Sequence, residues 1–184
     1  HFFYPEVKKF IDEDTQKSIE EELIEIDPDI FVDFEEKREK GQNHSYLAFL
    51  IRNDSVEEFI AHISKQQISP SSIIEGSIFE TNSFLIKHQA SLIEYAAFFG
   101  SIQIFQYLRL TYAKLSPLLW NFVIHGKNAE LIHVLEENNV DPIDDSFLNC
   151  LKESIKCHHN EIANYLIESF LNEDDLDEKF IEFG

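Results

Sequence analysis

The sequence predicts an all-α protein built from repeated helix pairs. Three observations carry that expectation. Apolar residues recur at helical rather than alternating spacing. Gly and Pro are scarce, at five each in 184 residues. One short pattern returns along the chain at matching offsets.

The composition fits a folded chain. It is 43% hydrophobic and 13% aromatic, with 17 phenylalanines, enough apolar matter for a real core. The net charge of −20 repels phosphate backbones and anionic lipid, so neither nucleic acid nor membrane is expected as a partner. The acid excess is uneven: residues 12–40 hold thirteen acids against four bases, and residues 161–184 hold eight against one. Solvated helix faces and tails account for both.

The repeat is found by anchoring on Ala96-Ala97. The stretch "AAFFGSIQIFQYL" (96–108) superposes on "VIHGKNAELIHVL" (123–135) and on "SIKCHHNEIANYL" (154–166), and more weakly on "AFLIRNDSVEEFI" (48–60). The intervals from first to last are 48, 27 and 31 residues. In each copy an apolar helix ends at a polar break, and a second helix follows. That second helix carries Val56/Phe59/Ile60, Ile104/Tyr107/Leu108, Leu131/Val134/Leu135 and Ile162/Tyr165/Leu166. A pair of this kind cannot bury both faces alone, so neighbouring pairs must cover one another. "EVKKFI" (6–11) echoes "SVEEFI" (55–60) and predicts the outer helix of a truncated pair.

The elements follow in order. Residues 1–42 are an acidic helical segment, 43–68 repeat one, and 69–89 an insertion. Residues 90–116, 117–146 and 147–171 are repeats two to four, and 172–184 an acidic cap or the start of a further repeat. The insertion is too apolar for a solvated linker, with Ile73, Ile74, Ile78, Phe79, Phe84, Leu85 and Ile86. It is read either as a hairpin framing a binding surface or as a packed loop or helix.

"SLIEYAAFFGSIQIFQYL" (91–108) resembles the ankyrin repeat core, with Ala96, Ala97, Gly100, Ile104, Tyr107 and Leu108 at its small, turn and apolar positions. The likeness runs over about residues 44–170 and is similar to a divergent ankyrin-type domain of unknown function in large families of single-celled eukaryotes. It implies an ankyrin-like solenoid of stacked helix-turn-helix repeats, with one extended hairpin or long loop inserted. It implies protein binding and no chemistry. The departures matter. The proline and histidine of the family's T-P-L-H tetrapeptide are replaced by Leu92, Leu119 and Cys150, and by Glu94, Asn121 and Lys152, so its hydrogen bonds are in doubt. Gly100 is kept once, with Arg52, Lys127 and His158 at the equivalent breaks.

The resemblance also implies a concave face lined by the inner helices. Residue by residue it gives Tyr95, Phe98 and Phe99, then Phe122, His125 and Gly126, then Glu153, Lys156 and Cys157. The first repeat gives Leu47, Ile51 and Arg52. Tyr95, Phe98, Phe99, Phe122, His125 and Lys156 are the candidate partner-binding residues. Phe98 and Phe99 fit either core or surface, whereas Trp120, in register with Ile93 and Leu151, is expected in the core.

No catalytic, metal or cofactor constellation has specific spacing. "KCHHNE" (156–161) with Cys150 lacks the paired spacing of zinc motifs, and no glycine-rich phosphate loop occurs. Cys150 and Cys157 sit seven apart, about 10 Å along a helix and too far for a disulfide. Two cysteines, with no leader-like N-terminus or long apolar run, make a reducing, intracellular and cytoplasmic location the expectation. Two glycosylation sequons, at Asn43 and Asn53, are chance matches on that reading. No methionine occurs, position 1 included, so a piece of a longer protein is expected. The functional expectation is a non-catalytic module binding a protein or peptide, with a structural spacer as the alternative.

Overall fold

The computed structural model describes residues 1–111, 114–143 and 146–172. It is helical, and the described residues pair as strand only at an isolated antiparallel bridge between Ile73 and Ser91. The chain forms two compact units. Among the described residues, the first holds 1–49 and 75–89, and the second holds 50–74 and those from 90 onward. The expected acidic cap at 172–184 falls almost wholly outside the described residues.

The first unit contains α1 (Tyr4–Val7), a 3-10 turn (Lys8–Phe10), α2 (Glu13–Ile26), α3 (Phe34–Lys40), the start of α4 (Tyr46–Arg52), and α6 (Ser83–Lys87). Where the echo "EVKKFI" predicts one outer helix, the chain makes a four-residue helix and a 3-10 turn. Asp12 then starts α2, its side chain accepting from Thr15 N. Leu23 of α2, Tyr4, Ile30, Phe34 and Phe79 form the core.

Phe79 comes from the insertion. It is fully buried and meets Phe34 edge to face at 5.0 Å. The backbone around it is tied down: Asn43 Nδ2 donates to Glu75 O at 2.7 Å, and Thr81 N to Gly41 O at 3.1 Å. His44 bonds Ser77 Oγ and Asp27 Oδ2, each at 2.8 Å. Residues 75–89 are therefore a packed loop and short helix rather than a projecting hairpin. An apolar residue fully withdrawn from water explains the choice.

The second unit contains the rest of α4, then α5 (Val56–Gln66), α7 (Leu92–Phe99), α8 (Ile102–Leu110), α9 (Leu119–Gly126), α10 (Ala129–Glu137), α11 (Phe147–Lys156) and α12 (Asn160–Phe170). Three successive pairs, α7–α8, α9–α10 and α11–α12, are each packed together, and α7 packs on α9 as α9 does on α11. Ala96 and Ala97 are fully buried, as close helix packing requires. Ile104, Leu108, Leu131, Leu135, Ile162 and Leu166 are buried from the outer set, and Trp120 is 1% exposed. The Trp120 indole donates to Val140 O at 2.6 Å.

The breaks between paired helices share one backbone solution. Gly100, Lys127 and His158, aligned in the sequence, all adopt left-handed φ of 66°, 51° and 57°. In the first copy the left-handed residue is Asp54 (φ 50°), not Arg52. The structural interval there is 46 residues, two shorter than the apolar alignment suggests. The hydrogen bonds agree: Ser55 N reaches Leu50 O as Ser101 N reaches Ala96 O.

Glu94 takes over the start of α7. Ser91 and Glu94 form a reciprocal capping box, and Ser116 Oγ donates to Glu94 Oε1 at 3.0 Å. The residue that replaces the expected histidine thus makes both a helix-start and an inter-loop bond.

Candidate functional site

The C-terminal ends of α7, α9 and α11 bring a run of aromatic and charged side chains together within the second unit. α7 ends on Phe98 and Phe99 because Gly100 turns left-handed and closes the helix. α9 ends against it at very short range. A Cβ on Gly126 would lie 2.5 Å from Ala97 O and 2.7 Å from Phe98 O, so only glycine lets the two backbones approach this closely.

That approach places His125 beside Phe98, their rings stacked at 5.7 Å with planes 25° apart. Phe98 meets Phe99 edge to face at 5.0 Å, and Phe99 lies 4.8 Å from Tyr95. The Arg52 guanidinium stands 5.9 Å over the Phe99 ring and donates to Tyr95 Oη at 3.0 Å. On the other side His125 Nε2 bonds Glu153 Oε1 at 2.9 Å, and Lys156 Nζ bonds Glu153 Oε2 at 3.0 Å. Cys157 Sγ completes the cluster, 3.5 Å from His125 Nδ1. The strip runs unbroken from Arg52 through three aromatic rings and an imidazole to Lys156.

Its members differ in exposure. Phe98, Phe99, His125, Glu153, Cys157 and Arg52 are half-buried, and Lys156 is exposed. Tyr95 and Phe122, which the sequence also places on the concave face, are 2% and 0% exposed. Phe122 fills the interior, and Tyr95 offers little beyond the hydroxyl held by Arg52. Ile51 is buried as well, and Leu47 is half-buried in the first unit. Helical spacing alone does not separate a groove-lining ring from one turned inward by a few tens of degrees.

Burial opposes the charge on Glu153, but hydrogen bonds from His125 and Lys156 hold its carboxyl below the usual range. Burial pushes the Cys157 thiol up. Cys150 is more deeply buried, and its thiol is pushed up to about 12. Both cysteines are free. The spacing Glu153-x-x-x-Cys157 puts both side chains on one helix face and is legible in the sequence. The convergence of His125, 28 and 32 residues earlier, is not.

No helix among the described residues is long and apolar enough to cross a membrane. No family model matches the chain, and no curated protein or solved structure matches it either.

Proposed function

We propose that the second unit is a protein-binding module that holds a protein or peptide segment along the strip of Phe98, Phe99, His125 and Lys156. The observation that supports this most is the contrast within one helix end. Ala96 and Ala97 are sealed in the interior, while the next two residues are large aromatics left half-exposed beside Arg52 and His125. Aromatic anchors with arginine nearby and a polar rim are the usual ingredients of a binding hot spot. The ankyrin-type solenoid belongs to the same proposal. The stacking of α7, α9 and α11, the recurring left-handed break and the Ser91–Glu94 cap speak for it. On this reading the module binds rather than catalyses, and it needs no cofactor.

The test is affinity capture with the wild-type chain, a Phe98→Ser/Phe99→Ser variant and His125→Ala. Circular dichroism and Trp120 fluorescence verify the fold. The proposal expects a protein retained by wild type and lost by both variants. Equal retention by folded variants would move the binding surface elsewhere. A structural spacer is the second reading, favoured by the burial of Tyr95 and Phe122, which shortens the available strip. It expects no specific partner in any of the three captures.

A further inference from the structure

We propose that His125, Glu153 and Cys157 form a binding site for a borderline-soft divalent cation of the Zn2+ class. One imidazole nitrogen, one carboxylate oxygen and one thiolate sulfur would hold it, with water in the fourth position. One donor atom from each residue lies within 4.8 Å of the other two. Two of the three donor separations lie close to those of a shared ion. Tetrahedral Zn2+ with S at about 2.3 Å and N at about 2.05 Å separates those two donors by about 3.6 Å. Cys157 Sγ lies 3.5 Å and 3.7 Å from the two nitrogens of His125.

A nitrogen and an oxygen on the same ion stand about 3.3 Å apart. His125 Nε2 and Glu153 Oε1 are 2.9 Å apart and hydrogen-bonded. An ion replaces that bond with a small widening, the Nε2 proton passing through solvent to Nδ1 so that Nε2 presents its lone pair. The sulfur is almost equidistant from both ring nitrogens, so His125 turns about χ2 to aim a lone pair at the ion. That torsion is among the softest in a side chain.

The donor set selects the metal. Ca2+ and Mg2+ take oxygen ligands, whereas mixed imidazole, carboxylate and thiolate suits Zn2+ and its neighbours. The surroundings fit. Lys156 occupies only Oε2 of Glu153, leaving Oε1 for the ion. Phe98 stacks on the imidazole and covers that side. As the sulfur–metal bond forms, the Cys157 proton leaves to solvent, so binding releases a proton. The site is independent of any protein partner, although His125 belongs to both proposals.

The experiment titrates the untagged, reduced chain with Co2+, a spectroscopic stand-in for Zn2+. The expected signal is a near-ultraviolet thiolate-to-Co2+ charge-transfer band with visible bands of four-coordinate Co2+. It should saturate at one ion per chain and disappear when Zn2+ is added. Cys157→Ser abolishes the band, and Cys150→Ser keeps it. His125→Gln and Glu153→Gln each weaken Zn2+ binding by more than about tenfold, read by competition with a chromogenic chelator. If Cys157→Ser does not fold, Glu153→Gln carries the test. A wild-type chain without the thiolate band, or a band that survives Cys157→Ser, overturns the proposal. The protein-binding reading would stand untouched by that result, because its readout is capture of a protein and not a metal-dependent band.

Discussion

A side chain held in the left-handed region carries a steric penalty of roughly 1–2 kcal/mol that glycine escapes. Lys127 bears that penalty at the α9–α10 break with φ at 51°, where α7 has Gly100. Its ion pair to Glu161 at 3.8 Å is exposed and worth little. Lys127→Gly is therefore expected to stabilise the chain, the relieved strain exceeding the extra freedom glycine gives the unfolded state. The net gain should be about 0.5–1 kcal/mol, read as a higher urea midpoint by fluorescence of the single Trp120. One position earlier the sign reverses. Gly126→Ala drives a Cβ to 2.5 Å from Ala97 O, a backbone atom that cannot swing aside. The same measurement should show a loss of about 1–3 kcal/mol, and an unchanged midpoint would contradict the close approach of α7 and α9. The second sign does not follow from the sequence alignment, which sets Gly126 beside Phe99 and Cys157 as one interchangeable position. Alignment registers residue type along the chain, whereas the constraint is a distance to another helix's backbone.

At the scale of elements, a helix start can be capped by a residue from elsewhere in the chain. α8 begins after Ser101, a residue type that normally caps its own helix. Here Ser101 Oγ donates instead to Ile51 O at 2.5 Å. The free N–H groups of Gln103 and Ile104 are taken by the Asp54 carboxylate, at 3.0 Å and 2.9 Å. A carboxylate at a helix N-terminus also meets the positive end of the helix dipole. Asp54→Ala is expected to cost about 1–2 kcal/mol and to speed amide exchange in the first turn of α8. Asp54→Asn should recover part of that. If Asp54→Ala exchanged like wild type at Gln103 and Ile104, the borrowed cap would be wrong. Some of this level was readable beforehand: Ala96-Ala97 with the outer apolar sets marked the buried stripes. The Ser91–Glu94 cap was not, because the alignment reads Glu94 only as a missing histidine. The Asp54 bond was not readable, since its partners lie 49 and 50 residues on and no local rule selects them. The same holds for Phe79, which completes a core whose other members all lie before residue 35.

For the chain as a whole, the dominant long-range fact is charge: 35 acids against 15 bases, net −20. Two electrostatic effects respond to salt in opposite directions. Favourable pairs such as Lys40–Glu36 and Lys17–Glu21 weaken as they are screened, but both are surface pairs, each contributing about 0–1 kcal/mol. Repulsion acts among the surplus carboxylates, and the folded state suffers it most because it confines them in the smaller volume. With more than two acids for each base, most carboxylates have no cation to lose, so screening removes more repulsion than attraction. Raising NaCl from about 10 to 200 mM shortens the Debye length from about 30 Å to under 10 Å, less than the span of a domain. Thermal unfolding followed by circular dichroism should therefore shift upward by several degrees over that range. Most of the gain should come at the low end, where the screening length changes fastest. A midpoint that falls with NaCl would mean that the surface ion pairs outweigh the net charge. Lys40–Glu36 and Lys17–Glu21 would then be the first pairs to remove by mutation.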